Sequence, residues 1–326
     1  MKIFRNLALA TALTLGLISC EKEKQNNWQV EIKKPISKVE LVDISKDFFD
    51  PNMGLEQFKS QYPWFQGTVS DEDFSKRRTD AKEIEVYKKA LTKIDLNKLN
   101  AGLADLFSHI QHYFPKFKSP KVFIYSSGLQ ALDDPIFYQP EANMVFIDIS
   151  AFMDEGNPHY DGYEKYLQKS MNPENIVPKT SLVFAQNIVP ANKNHMKFID
   201  QMIYQGKIML LQDAFLPTTA EHLKMNYTEK QYEWSQANEV NIWNYFVENN
   251  MVFGDDPRLE ERFILQSPFS KFYTEIDNKS SPQVGIFIGW QICKKFLEKH
   301  PETKLTDLLS MDSTKIFNES EYKPKN

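Results

Sequence analysis

Cys20 is the residue whose type and position most directly predict chemistry. It follows Leu17-Ile18-Ser19, after a basic start at Lys2 and Arg5 and an apolar run. A basic start, a short apolar core and small residues before a cut are typical of a secretory signal peptide. A cysteine directly after Leu-x-Ser is typical of a bacterial lipobox, where the thiol is acylated, for example with palmitate, and the chain is cut before it. We therefore predict lipid attachment at Cys20; an ordinary signal peptide or an uncleaved anchor is the alternative.

Two histidines are the nearest approach to a metal site. A zinc hydrolase of the HExxH type needs two histidines at i and i+4 on one helical face, with a glutamate beside the first. His109 and His112 are instead at i and i+3, near the end of a predicted helix, and no glutamate adjoins them. We interpret them as surface or capping histidines at a helix C-terminus. We expect no metal and no cofactor.

Other polar clusters are better explained as turns and caps. Ser126-Ser127-Gly128 follows a predicted strand but lacks a G-x-S-x-G elbow, and no His or Asp partner can be assigned to it. The segment 154–157 lacks the ligand spacing of a calcium loop. Asp255-Asp256-Pro257 is typical of a helix cap. No P-loop or dinucleotide fingerprint is present, so the sequence predicts a protein that is not an enzyme.

The composition favours a packed body rather than a disordered chain. Of 326 residues, 44 are acidic and 39 basic, giving a net charge of −5 with interspersed signs, so neither nucleic acid nor an anionic membrane face is suggested as a partner. Removing a signal peptide at 1–19 leaves a polar segment at 20–38, predicted to be a flexible tether, and a single globular domain at 39–326. Cys293 is then the only free cysteine and is predicted to be a buried small hydrophobe.

The elements that position these residues form a small sheet followed by helices. Residues 121–126 and 144–150 are predicted strands, and 160–169 a short helix. Residues 39–65 are predicted to form an irregular layer on the body. The predicted helices are 81–94, 96–113, 178–188, 195–215, 228–249 and 283–299. A small sheet and then blocks of helices indicate an α+β fold that is predominantly helical.

One predicted helix, 195–215, is apolar on most sides, as expected of a buried helix. Gly206 in its middle lowers helix propensity by about 1 kcal/mol. We expect another backbone to cross at Gly206, and the helix at 178–189 is the expected neighbour.

Several segments resemble one family in their order and spacing. After the lipobox come Tyr62-Pro63-Trp64-Phe65, residues 144–154, the run 171–178, residues 198–207 and residues 285–297. Together they resemble GldB, the gliding-motility lipoprotein family of Bacteroidetes, over nearly the whole mature chain.

The resemblance implies a scaffold related to zincin metallopeptidases. The helix that would carry HExxH reads Leu182-Val183-Phe184-Ala185-Gln186, without His or Glu, and the later segment that would place a Glu before Gly206 reads Tyr204-Gln205. A neutral amide cannot replace a zinc-binding carboxylate. The scaffold is therefore expected to lack its metal site, as in a pseudopeptidase.

The resemblance also implies a place in gliding motility and in the type IX secretion that gliding requires. We expect a non-catalytic component, anchored by lipid in the cell envelope at the outer membrane, that acts through contacts with other gliding or secretion proteins. Two alternatives stay open: a cell-envelope hydrolase with an unrecognised site, and a lipoprotein that binds a small molecule or glycan. The last would require an open, aromatic-lined pocket.

Overall fold

The structure, a computed structural model, describes Trp28, Val30, Ile32 and residues 39–191 and 197–325. Its strands are β1 (Leu41–Asp43), β2 (Lys121–Tyr125), β3 (Ile136–Gln139) and β4 (Met144–Asp148). The helices before and beside the sheet are α1 (Ile44–Phe48), α2 (Leu55–Gln61), α3 (Asp71–Arg78), α4 (Ala81–Lys93), α5 (Leu96–Tyr113) and α6 (Lys165–Gln168). Those of the C-terminal half are α7 (Ile176–Ile188), α8 (Phe198–Phe215), α9 (Glu221–Lys224), α10 (Glu229–Ala237), α11 (Glu239–Glu248), α12 (Arg258–Phe263), α13 (Val284–Lys299), α14 (Leu305–Ser310) and α15 (Ser313–Ser320).

The α+β prediction is confirmed. One mixed sheet has the order β1-β2-β4-β3, in which β1, β2 and β4 are parallel and β3 is antiparallel to β4. Both predicted strands are present. The sequence prediction missed β1 and β3, because a strand of three or four residues is too short for its alternating pattern to stand out.

The two faces of the sheet pack against different layers. Side chains alternate along a strand, so Val122 and Ile124 of β2 enter the main core, which also contains residues of α4, α5 and the C-terminal helices. Phe123, between them, joins a second cluster beneath α1, α2 and α3. Residues 39–65, expected to be irregular, therefore contribute short helices that cover the outer face of the sheet.

The core of the C-terminal half is a close crossing of α8 and α13. A Cβ added to Gly206 of α8 would lie 2.2 Å from the carbonyl oxygen of Gly289 in α13. The expected backbone crossing at Gly206 is therefore present. Its expected partner was wrong: α13 crosses there, not α7, because only α13 also has a glycine that allows so short a distance.

Three helix predictions need correction. The predicted helix 228–249 is two helices, α10 and α11, separated at Asn238. The predicted helix at 160–169 is reduced to α6, after a 3-10 turn at Pro158–Tyr160. Helix α8 begins at Phe198, and residues 195 and 196 of the predicted helix lie outside the described residues.

Two residues of the segment predicted to be a tether lie against α5. Trp28 is buried, and its carbonyl oxygen accepts a hydrogen bond from the Tyr113 hydroxyl at 2.5 Å. The carbonyl oxygen of Val30 lies 2.9 Å from Nε2 of His109. The chain therefore contacts the body well before residue 39.

Candidate functional site

A cavity with a volume of about 640 Å³ lies on the outer face of the sheet. We call its apolar wall the aromatic groove; it is formed by Trp64, Phe65, Val69, Phe74, Phe137 and Phe146. A concave, mainly apolar cavity of this size is typical of binding sites.

Strand register builds the floor of the aromatic groove. Phe123, Phe146 and Phe137 are direct neighbours on β2, β4 and β3. Their rings stack in a row, with centroid distances of 5.3 Å between Phe123 and Phe146 and 4.5 Å between Phe146 and Phe137. The Trp64 ring stands edge-on over this row, 5.0 Å from Phe146. Offset and edge-to-face aromatic contacts stabilise such a surface.

The aromatic groove is exposed. Phe137 is 46% exposed, Val69 38% and Trp64 37%. The polar rim includes Arg77, but its guanidinium already donates to both carboxylate oxygens of Glu83 and to the carbonyl of Ser127. The groove is therefore suited to an apolar or aromatic group, and exposed apolar patches of this kind mark interaction sites.

A second, polar cavity of about 310 Å³ lies beside α7. We call it the α7 cavity. Lys179, Leu182, Val183 and Gln186 line it from α7, and the loops that carry Asp134, Asn226 and Gln283 line it from other sides. Three positions of the expected HExxH motif, Leu182, Val183 and Gln186, therefore face one cavity.

Lys179 is the cationic group of the α7 cavity, whose lining also includes the acidic residues Asp133 and Asp134. Its ammonium forms no ion pair or hydrogen bond with any residue that the structure describes, and burial lowers its pKa to about 8. The buried side-chain oxygen of Asn226 also lacks a donor among those residues. An ammonium and a carbonyl without partners can take up an anion and a hydrogen-bond donor.

The two candidate histidines differ. His112 is exposed, as expected, but His109 is buried, and the interpretation of His109 as a surface or capping residue was wrong. Its Nδ1 and Nε2 each lie 2.9 Å from a carbonyl oxygen, that of Asp105 and that of Val30. His109 therefore joins α5 to the N-terminal segment.

The serine turn has a buried acidic partner. The Ser127 hydroxyl donates to Asp148 at 2.5 Å, and the Ser150 hydroxyl donates to the other carboxylate oxygen at 2.6 Å. Burial raises the pKa of Asp148, and these hydrogen bonds oppose the increase. The carboxylate thus ties the end of β2 to the end of β4. Asp148 was missed as a partner because the two residues are far apart in sequence.

No group of three or more His, Cys, Asp or Glu residues that could hold a metal ion occurs among the residues described. Asp154 pairs with Lys93, and Asp256 pairs with Arg258, which follows it in the first turn of α12. Neither acidic segment is part of a ligand cluster.

Comparison with known families assigns the chain. The family described as "Gliding motility protein GldB" matches residues 25–324. The chain belongs to this GldB family. No curated protein and no solved structure matched it.

Family membership confirms the expected resemblance and indicates a lipoprotein of gliding motility, consistent with the cell envelope. Within the described residues, no helix is long and apolar enough to cross a membrane. Cys20, the predicted lipid attachment residue, lies outside the described residues. Cys293 is buried, as predicted, and burial raises the pKa of its thiol to about 12.

Sequence reasoning missed the groove residue Phe137, the lysine of the α7 cavity and a buried ion pair. Phe137 is in β3, a strand too short to be predicted, and the burial of Lys179 depends on elements that are distant in sequence. The ion pair joins Lys224 to Asp213 at 2.5 Å, and Trp290 donates to the same carboxylate at 2.7 Å. Asp213, an acidic residue within the apolar pattern of α8, was the sequence feature that could have indicated this ion pair.

Proposed function

We propose that this GldB-family chain is a lipid-anchored, non-catalytic component of the gliding machinery that acts with type IX secretion through protein contacts. The anchor is a palmitate-type modification of Cys20, and the body lies at the outer membrane. The scaffold is zincin-like and lacks the metal site. The absence of His and Glu from α7 supports the lack of a metal site.

The observation that carries the contact function is the aromatic groove. Three of its side chains, Trp64, Val69 and Phe137, are large, apolar and more than a third exposed. Exposing them to water is unfavourable, by about 25 cal/mol per Å² of apolar surface. A partner protein that inserts an apolar or aromatic side chain there removes this surface from water. The same open, aromatic-lined groove also meets the requirement stated for a lipoprotein that binds a small molecule or glycan, and crosslinking to a protein would favour the protein contact.

Photo-crosslinking in cells tests this contact. Phe137 is replaced by a benzophenone amino acid, and Phe253, which is 56% exposed at another site, is the matched control. We expect a discrete crosslinked envelope protein from position 137 and none from position 253. Crosslinking of the same protein from both positions, or from neither, would contradict a contact at the groove.

A phenotype links the contact to gliding. Phe137→Glu should abolish colony spreading and lower the amount of type IX secreted protein, because a charge on the row of stacked rings prevents apolar contact. Phe253→Glu should leave both unchanged. Normal spreading of a strain that stably expresses the Phe137→Glu protein would show that gliding does not require the groove.

A second candidate function, capture of a small anionic ligand, is favoured by the α7 cavity. Lys179 provides a positive charge that lies over the Phe152 ring but forms no ion pair or hydrogen bond with any described residue. Millimolar phosphate or glutamate should then raise the melting temperature of the native protein, since a ligand that binds only the folded state stabilises it. Lys179→Met should abolish the increase, whereas Lys82→Met, at an exposed site, should keep it. An equal increase in both variants would exclude Lys179 as the binding group.

A further inference from the structure

Three described residues of the N-terminal segment contact α5 at successive positions. Near the start of α5, Asn100 donates to the carbonyl of Val39 at 3.3 Å. Further along, His109 contacts the carbonyl of Val30, and the last residue, Tyr113, binds that of Trp28. Of the described residues before α1, Val39 thus lies near the start of α5, and Trp28 lies at its C-terminal end.

The predicted lipid attachment residue is close in sequence to Trp28. Cys20 precedes Trp28 by eight residues. Eight residues span at most about 28 Å when fully extended, whereas a domain of this size is about 50 Å across. The C-terminal end of α5 thus cannot lie on the side of the body that faces away from the membrane.

The surface at the C-terminal end of α5 is basic. His112, Pro115, Lys116 and Lys118 are exposed around the end of α5, and we call them the anchor face. Neither Lys116 nor Lys118 forms an ion pair with any residue described. The turn between β3 and β4 is adjacent, because its Asn143 donates a hydrogen bond to the carbonyl of Lys118, and this turn contains the acidic residue Glu141. Lysines beside a lipid anchor are attracted to anionic headgroups.

The mixed charge of the whole sequence does not suggest an anionic membrane face as a partner, but the local charge does. We infer that the anchor face is a membrane-docking surface that lies on anionic phospholipid headgroups and fixes the orientation of the body. This inference rests on the lipid anchor of the proposed function. The opposite end of the sheet then points away from the bilayer. That end includes Gly128, after β2, where the side chain of Glu83 in α4 lies 3.0 Å from the position of an added Cβ.

Site-specific fluorescence tests the orientation with the full, lipidated chain. Lys118→Cys and Lys82→Cys are labelled with an environment-sensitive fluorophore. Lys118 precedes β2. Lys82 is in the first turn of α4, beside the opposite end of the sheet. Cys293 is buried and Cys20 carries lipid, so neither should react with the label. The proteins are placed in phosphatidylethanolamine and phosphatidylglycerol vesicles that contain a lipid with a nitroxide on its headgroup.

We expect quenching at position 118 to exceed that at position 82 at least twofold, and to fall when phosphatidylcholine replaces phosphatidylglycerol. Equal quenching, or stronger quenching at position 82, would overturn the orientation; quenching that ignores the anionic lipid would overturn the headgroup contact. Intact-mass measurement separates the two proposals: an acylated Cys20 with equal quenching refutes only the docking surface, whereas a chain without acyl groups refutes the anchor itself.

Discussion

Gly206 and Gly289 face each other where α8 crosses α13, and neither position has room for a side chain. A Cβ on Gly206 would lie 2.2 Å from the carbonyl oxygen of Gly289, and a Cβ on Gly289 would lie 1.7 Å from that of Met202. Both obstacles are backbone atoms, so no rotamer change can relieve them. The two glycines therefore set the distance between the central helices.

Gly206→Ala should destabilise the protein, although alanine is the better helix former by about 1 kcal/mol. Forced separation of the helices outweighs that gain, and overpacking typically costs about 1–3 kcal/mol. Gly206→Leu should be worse still. Gly54→Ala is the control, because no atom lies within 4 Å of the added Cβ. Chemical denaturation measures all three; a more stable Gly206→Ala variant together with a normal Gly206→Leu variant would contradict the packed crossing.

The sequence predicted the class of the fold better than its contacts. Long helices with regular apolar spacing, such as α5 and α13, were correctly predicted because periodicity and caps are local signals. The crossing partner of Gly206 was not, since glycine reports a close approach without saying which backbone approaches. The same limit applies to the candidate site. Trp64 belongs to the segment 62–65 that contributes to the family resemblance, but its place over the Phe146 ring depends on tertiary packing.

Cys20→Ala should move the protein from the membrane to the soluble fraction or leave it unprocessed. The reason is that the acyl chains on Cys20 provide the proposed anchor, and no described helix can span the bilayer. Fractionation with immunoblotting and the mass of the mature chain measure the change; Cys293→Ala is the matched control and should stay membrane-bound. A Cys20→Ala protein that is cut and remains in the membrane fraction would exclude the lipid anchor.

The purified protein should contain less than about 0.1 zinc per chain, because a stable zinc site needs three or four positioned ligands. His109, with both ring nitrogens directed at carbonyl oxygens, is not free to bind a metal. Elemental analysis after gel filtration in buffer without chelator provides the measurement. About one zinc per chain, lost in His109→Ala or His112→Ala, would restore the hydrolase alternative.

Lys179 should make stability depend on pH in a defined direction. Its pKa falls from an ordinary 10.5 to about 8 in the folded protein because of burial. Between these values the unfolded chain binds more protons, so stability rises with pH from about 8 to 10.5. The gain relative to Lys179→Met should be at most about 3 kcal/mol. Urea denaturation at several pH values tests this; parallel pH profiles of the wild type and Lys179→Met would show that the ammonium is solvated.

The buried pair of Asp213 and Lys224 provides the sharpest test of the C-terminal core. Their side chains are at most 2% exposed, with the Lys224 ammonium 2.5 Å from the Asp213 carboxylate. Removing one partner leaves a buried charge without its counter-charge, which costs about 3–5 kcal/mol.

Asp213→Asn keeps the size of the side chain and can still accept the Trp290 hydrogen bond, yet it should destabilise strongly, as should Lys224→Met. The double variant should lose much less than the sum of the two, because no unpaired charge remains. Urea denaturation of the four proteins completes the cycle. Asp71→Asn, which breaks the exposed pair with Lys59, is the control and should leave the midpoint unchanged. Additive losses in the double variant would mean that the two charges do not interact, and α9 would then be held to α8 and α13 by its other contacts, such as the Lys294–Glu221 ion pair.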